Sequence, residues 1–455
     1  MNIESDFGVV FCGGGPAALG PFVAAARLGR FDEVLARRVL IVERGTRIGA
    51  GSLRHYRILS NSFGAAFVEA IDAVPENSPL TPLRETDIAR QLREHRLENV
   101  PLRMAGVYLD ALGDILHAAV ERDPACAVAC GTTVSQIDLR AGGGIAITLV
   151  REGVERTIRA ERAVISMGGR HASAFEQLEI CPGGTLARWS AKVQPVSTLL
   201  DDRKFLPTHL LDELHRTGRI AIVGGSHSAW SAALVLLRDF RLWTGDAPMP
   251  QIALLHRSLI RLFYLTPAEA TADGFPFDPV RDVCPLSGRV NRAGGLKGEA
   301  RDLARRVLRS NADRELPIDL IDLSNPARRN AVAETLDRAA AIFVATGFHA
   351  NLPTLRDEGG RPLRLATRAG SVLVHDTGAL VTEDGRVLPQ LHAYGLGVHT
   401  PVSERIGGEP SYDKAITSTW LYQHDLGESA LEWVLDGHRD GRPNHPILAR
   451  AGLGW

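Results

Sequence analysis

Gly13-Gly14-Gly15-Pro16-Ala17-Ala18 stands between a short apolar run, Asp6 to Cys12, and a run rich in Ala and Leu. The first run reads as a buried strand and the second as a helix, so the pattern is G-x-G-x-x-G/A at a strand–helix turn. No other stretch constrains the fold as much, because it commits the start of the chain to a dinucleotide-binding βαβ unit. Gly13 permits the sharp turn. Gly15 has no Cβ, so a pyrophosphate can approach the backbone, and Ala18 is small enough for the helix to pack on the sheet. Phosphate oxygens then sit on free N–H groups at the helix start, with Pro16 and Ala17 lining the approach. The next strand, Arg38 to Val42, ends in Glu43 and Arg44. An acidic side chain there accepts hydrogen bonds from an adenosine ribose.

A second strand–glycine–helix unit recurs in mid-chain. Arg219 to Val223 is apolar, Gly224-Gly225-Ser226-His227-Ser228-Ala229 forms the turn, and a helical run continues to Leu237. The following strand, Ile252 to Leu255, leads into His256-Arg257-Ser258. Here a cation stands where the first unit has an acid. Arg257 is therefore a candidate for the 2′-phosphate that distinguishes NADP from NAD, with a solvated loop arginine as the plainer alternative. His227, inside the glycine loop, is placed for a local backbone or phosphate contact. An acidic ribose contact first and a cationic one second suggest FAD at the first unit and NADPH at the second, with hydride passing between the rings.

The rest of the chain fills in around these units. Gly45, Gly49 and Gly51 make residues 44–80 a close-approach loop suited to a flat cofactor ring, with Gly51 and Ser52 as candidate contacts. Residues 83–99 and 107–121 read as amphipathic helices. Ala125 to Ile165 reads as a small meander of short strands beside the main sheet. Residues 181–218, broken by Pro195 and Pro207, read as a connector. Residues 259–296 hold no strong period, and a long irregular stretch in a compact domain is often functional. Helices are expected at 297–310 and 328–338. Ala341 to Ala345 is a buried strand running into Thr346-Gly347-Phe348. Weak strands follow near 371–381, then a strand from Gln390 to Tyr394 ends in Gly395-Leu396-Gly397, and a final helix spans 412–436. The expected fold is α/β. An FAD-binding domain of 1–195 and 345–455 carries an inserted NADPH-binding domain of 205–344, plus the β meander.

At 455 residues, two or three domains are expected. The net charge of −1 gives no argument for nucleic acid or an acidic membrane surface. Basic charge is nearly all Arg; Lys occurs only at 192, 204, 297 and 414, which reads as codon bias. The N-terminus shows no basic and apolar leader, and no apolar stretch is long enough to span a bilayer. The cysteines at 12, 126, 130, 181 and 284 form no disulfide framework. These features lead us to expect a cytoplasmic enzyme acting on a small molecule, with a homo-oligomer compatible. No metal site is indicated, since the histidines lack ligand spacing.

Four stretches together resemble the class B flavoprotein monooxygenases, which include the flavin-containing monooxygenases and the ornithine and lysine N-hydroxylases. GGGPAA at 13–18 matches the FAD fingerprint of that family. GGSHSA at 224–229 resembles the NADPH fingerprint of the N-hydroxylases, with Ser226 replacing the middle Gly. FVATGFHANLP at 343–353 resembles the [LF]-A-T-G-[YF] motif with its downstream Pro. GSLRHYRILSNS at 51–62 resembles the segment that brings an Asn to the flavin ring, which gives Asn61 that role. The F-x-G-x-x-x-H fingerprint expected before the second glycine loop is missing, where the chain reads KVQPVSTLLDDRKFLP. That departure argues against a typical flavin-containing or Baeyer–Villiger monooxygenase.

The resemblance implies that NADPH reduces FAD and that molecular oxygen then gives a C4a-(hydro)peroxyflavin. A nucleophilic heteroatom, foremost an amine nitrogen, takes the distal oxygen. Asn61 would hydrogen-bond near the flavin ring; its alternative role is a turn Asn bonding its own backbone. A flavoprotein reductase of the same architecture is the competing reading. Its dithiol should follow the first ribose strand, yet residues 44–80 contain no Cys. Cys126 and Cys130 read as buried, inert thiols.

Overall fold

A computed structural model describes residues 6–171, 177–181, 184–244, 249–309, 316–329, 331–368, 370–400 and 406–436. Two sheets organise them. The first begins with β1 (Asp6–Cys12), whose apolar residues are nearly all buried, followed by helix α1 (Pro16–Arg27) and β2 (Val39–Glu43). β3 (Leu59–Phe63) stands apart from this sheet, in a short antiparallel pair with residues 99–101. The 19-residue helix α2 (Leu102–Val120) buries one face against the same core. β4 (Ala127–Cys130) then adds in parallel to β2.

β5 (Thr133–Leu139), β6 (Ile145–Arg151) and β7 (Val154–Ile165) form the meander, but β7 does not stop there. Its first half pairs antiparallel with β6, and its second half runs parallel to β1 from Arg159 to Ile165. The last part of the expected meander, Val154 to Ile165, is thus one long strand rather than several short ones. Its first four residues are exposed, burial alternates from Thr157 to Glu161, and the last three residues are buried in a row, where both faces are covered. The meander is therefore an extension of the main sheet.

The second sheet is five-stranded and parallel throughout, in the order β8-β12-β9-β10-β11. Its strands are β8 (Val193–Pro195), β9 (Arg219–Val223), β10 (Gln251–His256), β11 (Ile318–Asp322) and β12 (Ala341–Val344). Helix α3 (Thr208–Thr217) lies within the stretch expected as a connector and ends at Gly218, whose φ of 60° is the left-handed cap that favours glycine. Helix α4 (His227–Thr244) packs on the sheet, and α5 (Gly298–Arg309) packs against α4 in the same core. The chain then returns to the first sheet at Thr354–Arg356, which pairs parallel to β5, and again through β13 (Val387–Ala393), which pairs parallel to the end of β7. The fold is α/β with two Rossmann-like sheets.

Two expected helices differ, and one strand was not expected. The helix of 83–99 is confined to Asp87–Glu94, started by the Thr86 hydroxyl that accepts from the Ala89 amide. The final helix begins at Thr419, where the Ser418 hydroxyl accepts from the Leu421 amide, and is split at His424. Residues 412–418 are instead irregular. β11 carries no strong sequence signal because Asp319 and Asp322 break its apolar run.

Candidate active site

The two glycine loops share one geometry. Gly13 has φ 110°, donates to Val42 O at 2.8 Å, and would place a Cβ 2.5 Å from Ser166 O. Gly224 has φ 142°, donates to Leu255 O at 2.8 Å, and would place a Cβ 2.5 Å from Ala345 O. Only glycine satisfies both the positive φ and the close approach. A Cβ on Gly14 would stand 2.9 Å from the Glu43 Cβ, and one on Gly225 would stand 2.8 Å from the His256 Cβ. His256, not Arg257, is thus the counterpart of Glu43. Arg257 comes next and donates to Glu179 O at 3.3 Å.

Both loops open into one cavity of about 1610 Å³. Its walls include Gly13, Gly15, Pro16, Ala17, Glu43, Arg44, Gly51 and Ser52 from the first unit. They include Gly224, Ser226, His227, Ser228 and Arg257 from the second, and Thr346, Gly347, Phe348, Gly395 and Gly397 from the later turns. Ala18 and Ala229 lie behind the loops, buried where each helix meets its sheet. A Cβ on Gly15 would meet no atom within 4 Å, so the loop presents bare backbone to open space. Glu43 accepts from the Gly14 and Gly45 amides, both at 2.7 Å, and each oxygen keeps a further lone pair. This donor set and this space fit a dinucleotide pyrophosphate and ribose.

Asn61 lies in the middle of β3, exposed on the cavity wall, and its side chain makes no hydrogen bond to a described residue. It is not in a turn. The cavity wall beneath the first loop is organised by Asp110, a buried carboxylate on α2. Its oxygens accept from the Ala50 amide at 3.1 Å and from Arg54 at 2.5 Å.

The irregular stretch 259–296 supplies another wall. Arg261 and the run Arg292 to Lys297 line the cavity, facing residues 406–422. Glu409, fully buried, joins the two segments by accepting from the Ala293 and Gly294 amides, both at 2.8 Å. Ser411 accepts from Arg261 at 2.7 Å and donates to Asp282 at 2.5 Å. Asp110, Glu409, Arg292 and Lys297 escape the sequence motifs. The available signals were an acid inside the apolar face of a helix and the rarity of lysine: two of the four lysines, Lys297 and Lys414, line this cavity.

Burial pushes the Lys297 ammonium down to about 8, helped by Arg292 and Arg289 and opposed by Glu409. Burial and the nearby Lys297 push His227 down to about 4, so its ring is neutral at pH 7. Its Nδ1 is covered and has no hydrogen-bond partner among the described residues. Among those residues no group of three His, Cys, Asp or Glu could hold a metal ion, and no helix is long and apolar enough to cross a membrane.

No family model matches the chain. The chain is 36% identical over 448 residues to a CMP-5'-(3-aminopropyl)phosphonate hydroxylase of Streptomyces rubellomurinus, covering 96% of this chain and 100% of that one. Its fold is similar to the ornithine N-hydroxylase of Kutzneria sp. 744, solved with reduced FAD, NADP+ and L-ornithine. That likeness has a TM-score of 0.53 at 16% identity and covers 94% of this chain and 98% of that one. It is also similar in fold to an L-lysine 6-monooxygenase of Pseudomonas syringae, with a TM-score of 0.50 at 14% identity, covering 94% of this chain and 100% of that one.

Proposed function

The chain belongs to the class B flavin monooxygenase family and is a flavin-dependent hydroxylase, and from that premise we propose that it hydroxylates the primary amine nitrogen of an aminoalkyl phosphonate carried on a nucleotide. One observation carries the reading. The chain matches, across nearly all of both sequences, a hydroxylase whose named substrate combines an amine, a phosphonate and CMP. The charge of the cavity supports it: ten Arg and Lys side chains line it against three carboxylates, although the whole chain has a net charge of −1. A surplus of cations in one cleft concentrates anionic ligands there.

FAD would lie on Gly13 to Ala18, with its ribose toward Glu43, and NADPH on Gly224 to Ala229, with its adenosine end toward His256 and Arg257. FAD, once bound and reduced by NADPH, supplies the activation of dioxygen. One oxygen atom goes to the amine nitrogen and the other leaves as water, with two electrons from NADPH and a proton from solvent. The nitrogen needs its lone pair, so the substrate amine reacts in its neutral form. Asn61 can donate and accept hydrogen bonds beside the reacting centre without adding a charge. Glu409 holds the 292–297 wall against the 406–412 wall, which fixes the shape of this side of the cavity.

The test gives purified, flavin-loaded enzyme NADPH, oxygen and a panel of amines: 3-aminopropylphosphonate, its CMP conjugate, ornithine and lysine. Mass spectrometry should find a hydroxylamine from the CMP conjugate. Hydroxylation of ornithine or lysine in its place would overturn the substrate assignment.

A further inference from the structure

The cations of the cavity do not all serve the same end. Arg47 and Arg54 are paired with Asp110, Arg203 with Asp201, and Arg261 with Ser411. Arg44 and Arg257 sit at the ribose ends of the two glycine loops. The stretch Arg292-Ala293-Gly294-Gly295-Leu296-Lys297 belongs to neither group. Its backbone is fixed by Glu409, whose two oxygens are occupied by the Ala293 and Gly294 amides. Arg292 spends one nitrogen on Ile406 O at 3.0 Å. The Lys297 ammonium lies over the Phe263 ring, 5.1 Å from its centroid, and makes no hydrogen bond or ion pair with a described residue. It faces the cavity near His227, whose covered Nδ1 has no partner. A half-buried cation beside two guanidiniums, whose one nearby carboxylate, Glu409, already holds two backbone amides, is stabilised by a ligand that supplies further counter-charge.

We propose that Lys297 and Arg292 form a subsite for an oxyanion of the substrate, the phosphonate or phosphate group of the aminoalkyl phosphonate nucleotide. The assignment rests on the substrate reading above and says which wall holds the charged end. The amine then extends from that wall toward β3 and Asn61, because α5, which begins directly after Lys297, packs beside β3 at Ser60 and Asn99. Arg292 offers planar donors and Lys297 a compact charge, a pairing suited to a tetrahedral oxyanion.

The experiment is calorimetric titration of the oxidised, flavin-loaded enzyme without turnover. The probes are 3-aminopropylphosphonate, its CMP conjugate and 3-aminopropan-1-ol, an amine without the oxyanion. Lys297→Met should weaken both phosphonates by about tenfold or more, the loss of one charge-assisted contact. It should leave the amino alcohol and NADPH unchanged, and Lys297→Arg should recover most of the loss. Equal losses for phosphonates and amino alcohol, or a loss of NADPH binding, overturns the subsite. So does wild-type enzyme that binds the phosphonates no better than the amino alcohol. Because no product is formed, failure of amine hydroxylation and failure of the oxyanion subsite are read separately.

Discussion

The carboxylate of Glu43 accepts the amide proton of Gly14 at 2.7 Å, so the acid at the end of β2 shapes the glycine loop as well as facing the cavity. Its other oxygen does the same for Gly45 at 2.7 Å. Glu43→Gln sets an NH2 group against one of these two N–H donors. We expect the variant to lose FAD by about tenfold in affinity, the scale of one charge-assisted hydrogen bond. Flavin released on dialysis measures it. Wild-type retention would show that the neutral amide serves equally well.

Gly13 and Gly15 should fail differently. A side chain at Gly13 meets Ser166 O at 2.5 Å in a backbone conformation with φ 110°, so Gly13→Val should unfold or strain the domain. A side chain at Gly15 meets nothing within 4 Å, so Gly15→Val should fold normally and exclude the pyrophosphate. Circular dichroism with flavin content separates the two. A folded Gly15→Val protein with full flavin would contradict the placement of FAD on this loop.

Arg257 and His256 divide the second ribose end. Arg257→Ala should weaken NADPH by about tenfold or more and leave NADH nearly unchanged, since only NADPH carries the 2′-phosphate. Equal losses for both coenzymes would make Arg257 a structural residue, tied to Glu179 O.

Lys297 makes oxyanion binding depend on pH. Its ammonium is pushed down to about 8, so the charge that grips the ligand is present below that pH and lost above it. A bound oxyanion raises the pKa again, so binding at pH about 9 should take up a proton. His227, held near 4, stays neutral throughout this range, and the charged groups that act on Lys297 are Arg292, Arg289 and Glu409. Titration in buffers of different ionisation enthalpy reads the uptake, and Lys297→Arg should abolish it.

The two glycine loops were legible because their signal is local: three glycines in the first and two in the second, a strand before each and a polar residue at the end of the next strand. The meander was legible as strands, but its merger with the main sheet was not. Nothing in Val154 to Ile165 announces that a strand solvated on one face becomes buried on both. The wall formed by residues 259–296 was visible only as a lack of period. Its order comes from Glu409, more than a hundred residues later, and such pairing carries no spacing signal. Reading the lysines as codon bias passed over Lys297, whose meaning depends on the guanidiniums that the fold places around it.

Asn61 stands exposed on β3 rather than in a turn, which leaves its amide free for ligands. Asn61→Leu should keep FAD, since the loop contacts lie elsewhere. More of the NADPH consumed should then appear as hydrogen peroxide and less as hydroxylated product. An unchanged ratio would remove Asn61 from the chemistry.

The central claim is oxygen transfer from dioxygen to an amine nitrogen. It is tested most directly by turnover of the CMP-linked aminopropylphosphonate under isotopically heavy oxygen, with the product fragmented in the mass spectrometer. We expect one heavy oxygen atom, located on nitrogen, and NADPH consumed in equal amount. Heavy oxygen on a carbon atom, or NADPH consumed with peroxide as the sole oxygen product, would contradict it.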